Sequence, residues 1–234
     1  MTMTTHEECP GAHALAATPS PGVPQPDRAS KRPRQATVQR REDILRAAMA
    51  TFGTKGYYQC SLTEIAAQVG MTHAGVLHHF GSKDQLLLEV LDYRDRADIA
   101  HLHGQHAPTG LDLFRHLVAT ARQNMDRPGI VQTYTVLSAE SVTDGHPAQT
   151  WFRARFDGLR ALVAKSLDEL CSPDDRPTEG EITVAASAII AVMDGLQIQW
   201  LLDPKRIDLA RSTAFAIEAI LAATIAGRKR DPIL

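Results

Sequence analysis

Between residues 61 and 85 the chain marks a helix start twice in the same way. Ser61-Leu-Thr-Glu64 and Ser82-Lys-Asp-Gln85 each put a hydroxyl three residues ahead of a Glu or Gln. In this capping box the hydroxyl accepts from the third helical amide, and the longer side chain reaches back to the cap. Behind the first box Leu62, Ile65, Ala66 and Val69 recur at helical spacing, and Gly70 suits the left-handed position past a helix end. Thr72 can cap a further short helix to about His79, where Phe80-Gly81 interrupts it, and the second box opens a long helix through about His101. A segment committed to this period cannot serve as a strand, because its apolar residues would fall on both faces of a sheet.

The rest of the chain follows the same rule. Ile44, Leu45, Ala48 and Phe52 mark one face of a first helix at about 38–54, ended near Gly53 and Gly56. Breaks at Pro108–Gly110, Pro128–Gly129, Gly145–Pro147, Ser172–Pro177 and Asp203–Pro204 separate helices expected near 110–127, 129–143, 147–171, 179–202 and 206–226. With neither an alternating strand nor an internal repeat, the fold class is all-α. Its 234 residues suit one or two domains.

Residues 1–36 are different in kind. Six of the 13 prolines precede Arg34 and the first aromatic residue is Phe52, so this segment reads as a disordered tail. Its end is basic: Arg28, Lys31, Arg32, Arg34, Arg40 and Arg41 fall within 28–41 without one acid. A net charge of −2 argues against a nucleic-acid partner only if it is evenly spread; set apart from this +6, the remainder carries −8.

Several function classes drop out. Cys9, Cys60 and Cys171 are too few and too scattered for a disulfide framework or a structural zinc site. No GxSxG, HExxH or Gly-rich phosphate loop is present, so the reading is not an enzyme, and no cofactor is expected. The apolar stretch Ile182–Leu202 resembles a membrane span in length but carries Asp194, Gln197 and Gln199, so a buried helix is the better reading. Lacking an N-terminal apolar region behind basic residues, the chain reads as cytoplasmic.

The block from Ile44 to Val90 carries the function. Two short amphipathic helices joined at Gly70-Met71 make a helix-turn-helix pattern, whose second helix can enter a DNA major groove. An ordinary helical corner would have the same local pattern. The wider block resembles the TetR family of transcriptional regulators, on Ile44-Leu45-Arg46-Ala47-Ala48, Phe52, Gly56-Tyr57, Ser61-Leu62, Glu64-Ile65-Ala66, Val69-Gly70-Met71-Thr72, His78-His79-Phe80, Ser82-Lys83-Asp84 and Leu86.

That resemblance implies a DNA-binding head over 37–83 and a helical regulatory and dimerisation domain over 84–228. It implies a recognition helix at about Thr72–His79, with Thr72, His73 and His78 at DNA, His79 beside them, and Ser61 and Thr63 near phosphate. Lys83 matches a family lysine that contacts the DNA backbone. Where the family often has Gly and Tyr this chain has Ala74 and Leu77, and a leucine cannot donate the tyrosine's phosphate contact, leaving it lost or moved to His78. Cys60, where threonine is common, reads as a small packing residue.

Small residues crowd 179–202 and 206–226, which suits an intersubunit helical bundle or an intramolecular core; the resemblance favours a homodimer. Phe114, Tyr134, Trp151 and Met193, interleaved with Gln123, Glu140, Arg155, Asp194 and Gln197, are candidates for a small-molecule effector site, or for ordinary core. The implied function is a repressor released from its operator by a small, largely apolar ligand, with the helix from Ser82 as lever. A metal-responsive regulator using His101, His103 and His106, and a ligand-independent DNA-binding protein, are the alternatives; no metal site is assigned.

The arginines Arg32, Arg34, Arg40 and Arg41 can neutralise phosphate or enter a minor groove, or form a solvated tail. If they meet DNA, deleting residues 1–35 weakens operator binding and flattens its salt dependence. Equal affinity and slope in a salt titration of the truncated protein would remove the arm from the interface.

Overall fold

The computed structural model describes residues 28–99 and 108–225. The chain divides into two units between Thr37 and Val38, and every contact given below falls within the second. Nine α-helices occur among the described residues: α1 (Arg28–Gln59), α2 (Leu62–Gln68), α3 (His73–Phe80), α4 (Lys83–Ile99), α5 (Gly110–Asn124), α6 (Pro128–Glu140), α7 (Gln149–Asp168), α8 (Glu179–Leu202) and α9 (Leu209–Ile225). A 3₁₀ turn, Pro173–Asp175, precedes α8, and the described residues hold no strand. The fold is all-α.

Two boundaries differ from expectation, each for a local reason. α1 has helical backbone from Arg28, where the sequence suggested a disordered tail. Ala29, Lys31, Arg32, Arg34 and Gln35 are good helix formers, while Pro33 among them opposes a helix interior. Nor does α1 end at Gly53 or Gly56. Gly53 stays helical because α6 passes so close that a Cβ there would lie 2.6 Å from Thr133 Oγ1. Gly56 breaks the backbone angles (φ 74°, ψ 176°) and the chain resumes as a last turn to Gln59.

The caps are partly as expected. Ser61 accepts from the Glu64 amide at 3.2 Å. The Glu64 carboxylate does not reach back, however; it pairs with Lys55 Nζ at 2.6 Å. Thr72 accepts from Gly75 N–H at 3.1 Å and Ser82 from Gln85 N–H at 3.0 Å. The one complete box among these caps is Thr178–Glu181 at the start of α8.

Burial gathers these helices into more than one hydrophobic cluster, the first of which joins α1–α4 to α6 and α7. Ile44, Leu45, Ala48 and Phe52 of α1 pack with Leu62 and Ile65 of α2, Val76 and Phe80 of α3, and Leu86, Leu87, Val90 and Leu91 of α4. Tyr134 and Leu137 of α6 and Phe152 of α7 join the same cluster. A second cluster gathers Leu113 and Phe114 of α5, Val163 and Leu167 of α7, Ile182 and Ile189 of α8, and Ile217 of α9. Among the described residues α8 alone is long and apolar enough to cross a membrane by length and composition, yet only 33% of that window is buried.

Two positive-φ glycines separate two kinds of constraint. Gly70 (φ 64°) has nothing within 4 Å of an added Cβ. A Cβ on Gly56 would lie 2.0 Å from Glu140 Oε1. Gly70→Ala therefore carries only the left-handed penalty, about 1–2 kcal/mol. Gly56→Ala adds a displaced, charge-assisted hydrogen bond and is expected to cost about 2–5 kcal/mol. Urea denaturation of both variants checks the ordering.

Candidate DNA-binding face and buried cavity

The turn between α2 and α3 is fixed from both sides. Val69 and Gly70 amides donate to the Ala66 and Ala67 carbonyls, and Met71 N–H donates to the Ala66 carbonyl at 2.8 Å. Buried Leu62, Ile65, Val76 and Phe80 turn the opposite faces outward. On that outer side Ser61 and Thr63 are exposed at the start of α2, and Thr72, His73 and His78 are exposed on α3. Leu77 is half-buried and packs against the head core, which explains why the position takes an apolar side chain. His79 is half-buried; burial, then neighbouring His78, Arg41 and Arg40, push its imidazole below its usual value. It therefore loses its charge at a lower pH than a free histidine.

Arginines expected in a flexible arm are partly structural. Arg41 donates to the His79 carbonyl, pairs with Glu89 of α4 and stacks 4.2 Å over the Phe80 ring. Arg40 donates to the Val69 carbonyl at 3.3 Å. Both thus tie α1 to the ends of α2 and α3. The side chains of Arg32 and Arg34, like His101, His103 and His106, lie outside the described residues. Among the described residues, no three His, Cys, Asp or Glu side chains cluster as metal ligands do.

The C-terminal turn of α1 is clamped. Tyr57 N–H donates to Glu140 Oε2 at 2.7 Å, and the Tyr57 hydroxyl donates to Asp84 at the start of α4. Burial first, then Asp84, raise the Tyr57 hydroxyl far above its ordinary value, so it stays a donor. Lys83 Nζ sits 4.3 Å over the Tyr57 ring, half-buried and aimed by it. His146 is edge-on to Tyr57, with ring centroids 5.2 Å apart, and burial lowers its pKa despite Glu140 3.8 Å away. Farther up α1, Thr133 Oγ1 shares its one proton between the Met49 carbonyl at 2.9 Å and the Gly129 carbonyl of its own helix at 2.8 Å, an approach that requires glycine at position 53. Cys60 is buried in the same core, and burial raises its thiol.

Between Thr133 and Glu140, Tyr134 faces the other way. It lines a small cavity of about 80 Å³ with Arg94 of α4; Leu117, Thr120 and Asn124 of α5; Arg155, Leu159 and Val163 of α7; and Ile190, Met193, Asp194 and Gln197 of α8. Arg94 lies 4.2 Å and Arg155 5.7 Å from the Tyr134 ring centroid. Both guanidiniums share Asp95: Arg94 Nη1 donates to Oδ1 at 3.0 Å and Arg155 Nη1 to Oδ2. Arg155 Nε, Thr120 Oγ1 and Gln197 Oε1 are buried without a hydrogen-bond partner. Burial pushes the Asp194 carboxyl up to about 6, although Arg94 and Arg155 pull it down.

The structure brings Tyr134, Arg155, Met193, Asp194 and Gln197 together around this cavity. It places the other candidates elsewhere. Phe114 is buried in the second core cluster, Gln123 does not reach the cavity, and Glu140 holds the end of α1. Trp151 Nε1 donates to Asp92 at 2.8 Å at the surface, with Arg155 5.8 Å from its ring. Arg94, Thr120 and Asn124 are cavity residues that the sequence reading missed. Nothing marked Arg94: on a helix so rich in charge, a guanidinium only 4% exposed looks like any other.

Residues 44–90 match the model for bacterial regulatory proteins of the tetR family, and residues 113–226 match that for the C-terminal region of BetI-type transcriptional repressors. The chain is 28% identical over 180 residues to the HTH-type transcriptional regulator BetI of Agrobacterium fabrum, covering 75% of this chain and 83% of that protein. A TetR-family regulator from Streptomyces coelicolor superposes with a TM-score of 0.64 at 21% identity, over 80% of this chain and 96% of that one. A transcriptional regulator from Saccharomonospora viridis in complex with choline superposes at 0.56 and 19% identity, over 78% and 96%. Both halves of the described fold are thereby accounted for, and the chain belongs to the TetR family of transcriptional regulators.

Proposed function

We propose that this chain is a cytoplasmic, homodimeric repressor that leaves its operator when a small, largely apolar molecule occupies the cavity around Tyr134. The observation that carries the reading is α6. Within eight residues it holds α1 by Thr133, faces the cavity with Tyr134 and holds α1 again by Glu140. At about 80 Å³ the cavity has room for two or three waters, so a larger guest must part α5, α6, α7 and α8. Parting them moves the helix that grips the head. DNA and ligand then favour different arrangements, and each weakens the other equally.

The exposed groups on α2 and α3 supply the DNA contacts in this reading. Thr72, His73 and His78 meet base edges or phosphate, Ser61 and Thr63 meet phosphate, and Lys83, steadied on Tyr57, reaches the backbone. The dimer forms through α8 and α9. Val184, Ser187, Ala191, Ile198 and Leu202 stand exposed on one face of α8, and Phe215, Ala219 and Ala222 on one face of α9. Leu202 is 82% and Phe215 74% exposed, an apolar surface that a second copy would cover. The relatives are transcriptional regulators, so catalysis has no part in it.

Footprinting on the promoter beside its own gene, followed by a small-molecule screen for release, tests the whole reading. Ligands that bind tightly without changing operator affinity would overturn the switch. Within the head, His73→Ala and His78→Ala each weaken operator binding by about 1–3 kcal/mol and relax preference at one base position. Lys83→Ala weakens binding to all sequences alike and lowers the salt slope by about 1. Fluorescence anisotropy against operator and scrambled duplexes separates the two patterns.

Coupling has its own test. Glu140→Ala frees the α1 terminus but leaves the cavity lining intact. It is expected to bind an effector normally while the effector's influence on operator affinity shrinks from a typical coupling of about 1–3 kcal/mol toward zero. Full coupling in that variant would take the clamp out of the mechanism.

A further inference from the structure

Besides Tyr134, Thr120 and Asn124, the polar groups of the cavity come from three helices. Donors come from α4 and α7, as the guanidiniums of Arg94 and Arg155; acceptors come from α8, as Asp194 and Gln197. Asp194 and Gln197 are three residues apart, so they share one face of their helix. The groups are not matched to one another: Arg155 Nε lacks an acceptor and Gln197 Oε1, on a side chain 6% exposed, lacks a donor. Leaving buried polar atoms unpaired is unfavourable, so a guest satisfying both ends has free energy to gain. Leu117, Leu159, Val163, Ile190 and Met193 supply the apolar wall between them.

We infer that the cavity takes a small zwitterionic amino acid with a branched aliphatic side chain, its carboxylate toward Arg155 and its ammonium toward Asp194 and Gln197. The inference rests on the reading of this cavity as an effector site. A quaternary ammonium ion fits poorly. The ring face it would need, that of Tyr134, already carries Arg94 at 4.2 Å and Arg155 at 5.7 Å. It also has no N–H for the orphaned Gln197 oxygen. A plain carboxylate leaves Asp194 and Gln197 unanswered, and a plain amine leaves Arg155 Nε without an acceptor, although Asp95 already pairs with Arg155 Nη1.

Asp194 also fixes the pH dependence. The charged or titratable groups facing it are Arg94 of α4, Arg155 of α7 and the neutral phenol of Tyr134 on α6; α5 supplies only uncharged Thr120 and Asn124. An ammonium ligand needs Asp194 ionised, and its free carboxyl titrates near 6. Affinity is therefore level above pH 7 and falls below pH 6, by up to about tenfold per pH unit.

Isothermal titration of the full-length protein with valine, isovalerate, isobutylamine and choline tests the class. Valine is expected to bind at least about tenfold tighter than the other three, the worth of one charge-assisted hydrogen bond. Asp194→Asn, nearly isosteric, is expected to bind valine about tenfold more weakly and to lose the pH dependence. Isovalerate, isobutylamine or choline matching valine, or no binding by any probe, would overturn the class. Anisotropy on operator DNA keeps the two readings apart: valine that binds without releasing DNA upholds the class and removes the switch, whereas release by a different compound does the reverse.

Discussion

One close approach organises the molecule: α6 lies against α1 at two points where α1 itself carries no side chain. At Gly53 the neighbour is Thr133, and at Gly56 it is the Glu140 carboxylate. Each glycine admits a hydrogen bond that any larger residue would displace, to the Met49 carbonyl in one case and from the Tyr57 amide in the other. Tyr57 then passes the constraint to α4 through Asp84 and aims Lys83 with its ring face. The outward side of α2 and α3 is positioned by this chain of contacts as much as by its own short helices. Helices of seven and eight residues could not hold their positions alone.

How much of this the sequence reveals depends on whether the signal is local. The turn at Gly70-Met71 and the caps at Ser61, Thr72 and Ser82 are local hydrogen-bonding patterns, and α8 is bounded where its flanking Thr178 and Asp203 put it. Gly53 and Gly56 misled because a glycine looks the same whether it ends a helix or admits a neighbour. Only the partner tells, and Thr133 is far off in sequence. Glu140 shows the same limit. A carboxylate among aromatic residues suggests a pocket, yet its partner is the Tyr57 amide. The interior cluster was half legible, since Asp194 and Gln197 interrupt an apolar run whereas Arg94 is lost in a charged one.

In the proposed switch two helices, rather than one, can transmit a change. The helix from Ser82 was the expected lever, and α4 does run from the head core at Leu86, Leu87, Val90 and Leu91 to the cavity at Arg94. It does not act alone. Asp95, next along α4, holds Arg155 of α7 as well as Arg94, so α4 and α7 are joined at the cavity by a shared carboxylate. α6 reaches the head by a separate route through Thr133 and Glu140. Two helices thus connect cavity to head, α4 directly and α6 through its grip on α1.

In the proposed switch, two routes that start at one cavity and end on adjacent helices would make the response discrete rather than graded. Tyr134 lies beneath the guanidiniums of Arg94 and Arg155, so α6 cannot shift outward without breaking stacking that also orders α4 and α7. The glycine contacts on the far side of α6 leave no slack in the opposite direction. A close-packed interior accommodates a new guest by moving to another packed arrangement, since small compressions are resisted on every side. The buried, unpaired polar atoms of Arg155 and Gln197 hold the present arrangement slightly above its best energy. A guest that pairs them stabilises the alternative, and the clamp on α1 carries the difference to the DNA-binding face.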